Sequence, residues 1–223
     1  MGLFSKRYLL LSSILFLALV SCRISKYKNN SGDRVFITKE LITPVLSSNQ
    51  PLKFKATIDV LKNHLTGILI VKQIDSVATH FIFVTELGMK MFDFLYKDNR
   101  MEAVYVFEPL NKPKLINSLM RNMEDMTMID VFSRAVGATY GNLKENYKLF
   151  SIEKMYTNNQ KIYLITDSLT HLYRQEIFNH TRKSSLINYT YNLNTQRYKQ
   201  IKCIQYGLIK IHIELNEITQ TND

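Results

Sequence analysis

Five histidines, two cysteines and a run of acidic residues along one hairpin are the groups in this 223-residue chain with the chemistry for catalysis or metal binding. His64, His80, His171, His180 and His212 form no HExxH motif and no pair four residues apart, so a metal site would have to be assembled across separate strands. His80 and His212 read as rim or partly buried strand residues. No G-x-S-x-G elbow and no glycine-rich phosphate loop occurs, in a chain with only 7 Gly. Cys203 would be a nucleophile only beside a histidine that the sequence does not supply, and reads instead as a small buried hydrophobe. Glu86, Asp93 and Glu102 recur along the segment 85–107, where paired carboxylates would suit glycoside chemistry. Asp93, however, shares a predicted side with Met89, Met91 and Leu95, which points to a salt bridge or turn contact. No covalent catalysis, metal or cofactor is expected.

Cys22 carries a different chemistry. Lys6 and Arg7 precede an apolar run from Tyr8 to Val20, which is too short to cross a bilayer core of about 30 Å as a helix of roughly 20 residues. It reads as an export signal occupying residues 1–21. The run ends in Leu19-Val20-Ser21-Cys22, which resembles the lipobox of bacterial lipoproteins, with a small residue before the cysteine and a branched apolar residue three places ahead of it. The resemblance implies cleavage before Cys22 and acylation of that residue with palmitate-type chains. Each buried methylene contributes about 0.8 kcal/mol, so two or three chains hold a protein on a membrane essentially permanently. The alternative is an ordinary secretory signal with a chance cysteine.

Charge and tether follow from that address. With Cys22 lipidated, Cys203 has no partner for an intramolecular disulfide. The formal charge of +10 includes Lys6 and Arg7; on an exported, tethered chain it favours anionic headgroups over nucleic acid. Arg23, Lys26, Lys28 and Arg34 lie in a polar stretch ending Asn29-Asn30-Ser31-Gly32, a flexible tether of about ten residues. Arg23 after Cys22, in place of an acidic residue, is compatible with sorting to an outer membrane.

The elements that would position any site begin after this tether and N-terminal segment, 22–50. Residues 37–41 have the pattern for a turn of helix, stopped by Thr43-Pro44. From 51 to 218 the chain reads as one domain, with a tail at 219–223. Leu52, Phe54, Ala56, Ile58 and Val60 alternate with Lys53, Lys55, Thr57 and Asp59, which is strand periodicity. Four more strands are expected over 65–73, 77–85, 89–96 and 100–107, joined by short turns into an antiparallel meander. Ile68, Ile70, Ile82 and Val84 make both faces apolar, so both faces are expected to need cover. A helix is predicted over 112–132 from Pro113 and the spacing of Leu115, Ile116, Leu119, Met120, Met123 and Met126. Six further strands follow over 148–152, 161–166, 171–178, 185–193, 198–206 and 208–215. The sum is a mainly β chain of about eleven strands with a central helical insertion: one strongly curved antiparallel sheet, an incomplete barrel, with helix on its concave side.

That order of elements resembles the fold of the Lol pathway, shared by its periplasmic lipoprotein carrier and its outer-membrane receptor. The segments Leu65-Thr66-Gly67-Ile68-Leu69-Ile70-Val71-Lys72 and Phe83-Val84-Thr85-Glu86-Leu87-Gly88-Met89-Lys90-Met91-Phe92-Asp93-Phe94 also resemble small lipoproteins of the Bacteroidetes. The resemblance implies an apolar groove that holds acyl chains or lipoproteins. Leu69, Val71, Phe81, Phe83, Phe92 and Phe94 are its expected lining, and the methionine-rich helix with Met120 and Met123 its adaptable cover. The Lol receptor has a protruding loop with an exposed apolar residue; here Leu87 either takes that part as a membrane contact or folds back over the sheet edge. The expected protein is monomeric and anchored in the cell envelope, at the outer membrane facing the periplasm, where it receives acyl chains or lipoproteins from a periplasmic carrier. The first rival reading is a structural or interaction lipoprotein whose groove is filled by its own side chains, and the second is an envelope hydrolase.

Overall fold

The computed structural model describes residues 33–46, 50–74, 78–133, 137–144, 146–154 and 160–218. Cys22, the signal, the tether and the tail lie outside them. Among the described residues thirteen strands form one antiparallel sheet that is curved but not closed. In chain order they are β1 (Arg34–Phe36), β2 (Leu52–Val60), β3 (Asn63–Gln73), β4 (Thr79–Thr85), β5 (Lys90–Lys97), β6 (Arg100–Val106), β7 (Gly137–Lys144), β8 (Tyr147–Lys154), β9 (Gln160–Asp167), β10 (Leu172–Asn179), β11 (Arg182–Asn192), β12 (Arg197–Gln205) and β13 (Ile211–Glu217). The spatial order is β1-β7-β8-β9-β10-β11-β12-β13-β2-β3-β4-β5-β6. Two meanders are thus fused where β13 pairs with β2, Ile213 opposite Ile58 and Leu215 opposite Ala56.

The strand patterns explain which face is which. In β2, Leu52, Phe54, Ala56, Ile58 and Val60 are buried while Lys53 and Lys55 are exposed. In register, one concave row runs Tyr140, Phe150, Leu164, Gln175, Ile187, Cys203, Ile213, Ile58, Leu65. Bulges at Phe83/Val84, Asp93/Phe94, Leu172/Arg174, Ile177/Phe178 and Thr190/Tyr191 bend and coil the sheet.

The eleven expected strands are all present, with ends shifted by a few residues. The two additional ones, β1 and β7, pair with each other at one edge. β1 is three residues long, and β7 reads GATYGNLK, with two glycines and little alternation, so neither carries a periodicity that announces a strand.

The helical insertion is two helices, α1 (Pro113–Thr127) and α2 (Ile129–Ser133), not one continuous run. Met128 between them has a left-handed backbone, φ 54°, and the Thr127 hydroxyl donates to the Met123 carbonyl at 2.7 Å. This elbow directs Val131 into the core, with Ile129 and Phe132 at its margin. Leu115, Ile116, Leu119, Met123 and Met126 of α1 join the concave core. Residues 37–46 form a strap rather than a helix: a turn closes from Ile42 N–H to the Thr38 carbonyl at 3.1 Å, and Ile37, Ile42 and Val45 are buried.

The convex face departs from expectation. Ile68, Ile70, Ile82 and Val84 are half-buried and stand directly opposite one another, Ile68 with Val84 and Ile70 with Ile82. Among the described residues, cross-strand pairing contributes to shielding them. A satellite cluster of Leu149, Tyr163, Ile165 and Phe178 with Tyr147 does the same on β8–β10.

Candidate functional site: the concave wall and its rim pocket

The six expected lining residues share one face. Leu69, Phe83 and Phe92 stand in one cross-strand row and Val71, Phe81 and Phe94 in the next. Alternation places them there, and the Asp93/Phe94 bulge in the β5–β6 pairing lies beside two of them. Phe92 and Phe94 stack with centroids 4.4 Å apart, and Phe83 meets Phe92 at 5.3 Å. All six are fully buried in the core that also contains Met123, with Met120 half-buried beside it. The wall is packed against its cover.

Open space adjoins it at one rim. A pocket of about 440 Å³ is bounded by Lys39, Pro44 and Leu46 of the strap, by Gln73, Thr79, Tyr96, Asp98 and Asn99 at the ends of β3–β5, and by Thr127, Ile129 and Phe132 at the α1–α2 elbow. Leu46, Tyr96, Ile129 and Phe132 give it an apolar side; Lys39, Gln73 and Asn99 give it a polar mouth. None of its lining residues is among the six expected to line the groove, because the pocket is made by the strap and by the helix break, neither of which periodicity reveals.

Beneath α1 lies a polar layer that the hydrophobic pattern also conceals. Asn122 and Asp125 are on the buried side of the helix. The Cys203 thiol donates to Asn122 Oδ1 at 3.7 Å, and Tyr189 Oη donates to Gln175 Oε1 at 2.9 Å. Asn122 Nδ2 and Thr166 Oγ1 are buried without a hydrogen-bond partner among the described residues. Burial pushes the Cys203 thiol and the Tyr189 and Tyr198 phenols up, so all three stay protonated. The neutral, enclosed Cys203 has the character of a core residue, not of a nucleophile.

The strap is tied down by Tyr198, whose hydroxyl donates to the Thr43 carbonyl at 2.8 Å and accepts from Leu172 N–H at 3.0 Å. Thr43 N–H donates to the Thr170 carbonyl at 3.0 Å.

The remaining polar candidates are dispersed. His80 pairs with the buried Asp93 at 2.8 Å, and Lys90 reaches the other oxygen of Asp93 at 3.4 Å, the salt bridge that the shared side foreshadowed. Glu86 is in the exposed turn after β4, and Glu102 is exposed opposite Leu95. His171 binds Asp167 at 2.9 Å, and His64 and His212 flank Asp59. No three His, Cys, Asp or Glu residues among those described converge as a metal ligand set. Leu87 is 95% exposed at the tip of its turn and does not fold back over the sheet. No helix among the described residues is long and apolar enough to cross a membrane.

No family model matches this sequence, and neither does any curated protein. Among solved structures, the chain is similar to a LolA-superfamily protein from Nitrosomonas europaea, with 10% identity over 83% of this chain and 91% of that one and a TM-score of 0.48. It is similar to an outer-membrane lipoprotein-sorting protein domain from Vibrio parahaemolyticus, with 11% identity over 79% and 88% and a TM-score of 0.45. A DUF1329-family protein from Desulfovibrio piger gives 10% identity over 79% and 89% and a TM-score of 0.39.

Proposed function

We propose that the protein is a membrane-anchored lipoprotein of the cell envelope that takes up acyl chains, free or carried on a lipoprotein, between its concave wall and the α1–α2 cover. The observation that carries this reading is the rim pocket of about 440 Å³, lined on one side by Leu46, Tyr96, Ile129 and Phe132 and continuous in sequence with the helix that caps the wall. That volume lies in the roughly 300–1,000 Å³ range of small-molecule sites. An acyl chain entering there gains about 0.8 kcal/mol for each methylene removed from water. α1 presents flexible methionines and an imperfectly satisfied polar layer to the wall, so displacing it costs less than displacing an all-aliphatic helix. Cys22 supplies the anchor, a periplasmic carrier the donor, and the outer membrane the address. The protein works as a monomer, without catalysis, by relative affinity.

The test uses protein with Cys22 replaced by alanine, so that its own acyl groups do not interfere. Solvent extraction and mass spectrometry should find co-purifying fatty acid or phospholipid, and a fluorescent fatty acid should bind saturably and be displaced by palmitate. No extractable lipid and no saturable uptake would refute the reading. Those results would favour a structural or interaction lipoprotein instead, a reading supported by the complete burial of Phe81, Phe83, Phe92 and Phe94.

A further inference from the structure

Every hairpin of the two meanders turns at one of two rims. One rim carries the strap, the pocket and the turns at 98–99, 168–171 and 193–196; the other carries the turns at 61–62, 86–89, 180–181 and 206–210 and the connection into α1. On this second rim, three successive tips along the sheet, β12–β13, β2–β3 and β4–β5, each hold out a leucine. Leu208 is 100% exposed, Leu87 95% and Leu61 58%. Each leucine is followed within three residues by a lysine: Lys210, Lys90 and Lys62, all exposed. At about 4.8 Å per strand the three tips span roughly 19 Å.

Each of these tips turns through a residue with positive φ. Leu61 has φ 58°, a left-handed conformation that glycine, asparagine or aspartate adopts far more readily. Gly88 and Gly207 take the positive φ values, 80° and 128°, next to Leu87 and Leu208. Exposed Lys112, Lys114 and Arg182 add to the basic side of this rim, against Glu86 and Glu108; Lys90 also reaches Asp93, and Asp59 faces His64 and His212. The opposite rim also has an exposed apolar residue near a lysine, Ile74 two residues after Lys72, but not at a leucine tip. Its exposed tip leucines, Leu169 and Leu193, have no lysine or arginine within three residues and are held in turns by Asp167 and Asn192.

We propose that the tip rim is a three-pronged foot that seats on an anionic bilayer, with Leu61, Leu87 and Leu208 in the headgroup–acyl boundary and Lys62, Lys90 and Lys210 at the phosphates. Leucines projecting singly between lysines match the layering of such a surface, apolar below and anionic above. The foot rests on the reading that the chain is held at a membrane, and it fixes an orientation that the anchor alone does not. With β3 11 residues long, the pocket rim stands up to about 35 Å from the bilayer and faces water. The acyl chain then arrives from the aqueous side, on a soluble donor.

The chain contains no tryptophan, so one introduced residue is an unambiguous reporter. Full-length protein with L61W, L87W, L208W or L193W is bound to vesicles of phosphatidylcholine and phosphatidylglycerol, in a ratio of about two to one, with brominated acyl chains in the phosphatidylcholine. Tryptophan at 61, 87 and 208 should shift to the blue and lose most of its emission, while tryptophan at 193 should keep both. In vesicles without phosphatidylglycerol, or with Lys62 and Lys210 both changed to glutamate, the quenching at 208 should fall several-fold. Equal emission from all four positions, or quenching at 193 alone, overturns the foot. Fatty-acid uptake by L87W and L208W, measured in parallel, should match the parent chain; loss of uptake in the parent itself tests the pocket and not the foot.

Discussion

Gly67 of β3 lies so close to Val84 of β4 that a methyl group on its α-carbon would overlap the Val84 carbonyl oxygen and stand 2.8 Å from Thr85 Cα. The obstacle is backbone, so no side-chain rotation relieves it. Gly67 sits between Ala56 and Thr85 in the sheet, and this row of small residues lets the strands coil tightly where the two meanders are joined. Gly67→Ala should destabilise the fold by about 2 kcal/mol or more. Overpacking costs roughly 1–3 kcal/mol, and the gain from restricting the unfolded chain offsets less than about 1 kcal/mol of it. A lower urea midpoint at unchanged slope is the expected readout; an unchanged midpoint contradicts the close approach.

Asn122 makes the cover helix less well seated than its apolar neighbours suggest. Among the described residues its Nδ2 is buried without a partner, and its Oδ1 receives a weak thiol donor, Cys203. Asn122→Leu removes an unsatisfied amide and adds apolar contact, so it should stabilise the protein by about 1–3 kcal/mol. If α1 must shift to admit an acyl chain, the same change should slow fatty-acid uptake. A stabilised variant with unaltered uptake kinetics would mean that ligand enters without moving this helix.

How much of this could be read from the chain depends on which signal each part leaves. Alternation in β2 and β13 is strict because one face meets the core and the other carries polar side chains, and those strands are plain in the sequence. Phe81, Phe83, Phe92 and Phe94 share the concave side for the same reason. β7 is concealed by Gly137 and Gly141, and β1 by its length; both exist because each supplies the other with a partner at the sheet edge. The elbow at Met128 carries no glycine or proline to mark it, so α1 and α2 read as one helix. The pocket depends on that elbow and on a strap held by Thr43, Thr170 and Tyr198, which are 127 and 155 residues apart along the chain from Thr43. Contacts at that separation leave no local pattern.

Alkaline pH should unfold the protein in a defined window. Cys203 and Tyr189 are held protonated by burial, as is Tyr198, whereas in the unfolded chain the thiol and phenols ionise near their ordinary values of 9.0 and 10.0. Above those values the folded state binds more protons than the unfolded state, so stability declines as pH rises. It is fully present below about pH 9 and falls from there upward. A denaturant midpoint that is flat to about pH 8.5 and then drops is expected, and Cys203→Ala should shift the onset upward. Native Cys203 should resist thiol reagents at pH 8 and react on unfolding; rapid labelling of the native chain would contradict its enclosure.

Tyr198 couples the strap to the sheet, and its removal should open the pocket. Tyr198→Phe deletes one hydroxyl that serves both the Thr43 carbonyl and Leu172 N–H, and leaves the amide of Leu172, itself buried, without its side-chain partner. An unsatisfied buried group costs about 1–3 kcal/mol, and the bond lost to the strap about 1 kcal/mol more, so the variant should be destabilised by roughly 2–4 kcal/mol. The strap forms one wall of the pocket through Lys39, Pro44 and Leu46. With its tie removed, fatty-acid association should quicken while the equilibrium affinity weakens, because the apolar wall is no longer held in place. Stopped-flow uptake of a fluorescent fatty acid, compared with Phe132→Asp, separates the two contributions. The aspartate should abolish binding by placing a charge on the apolar side without touching the strap. Slower association in Tyr198→Phe, or unimpaired binding in Phe132→Asp, would move the entry point away from this rim.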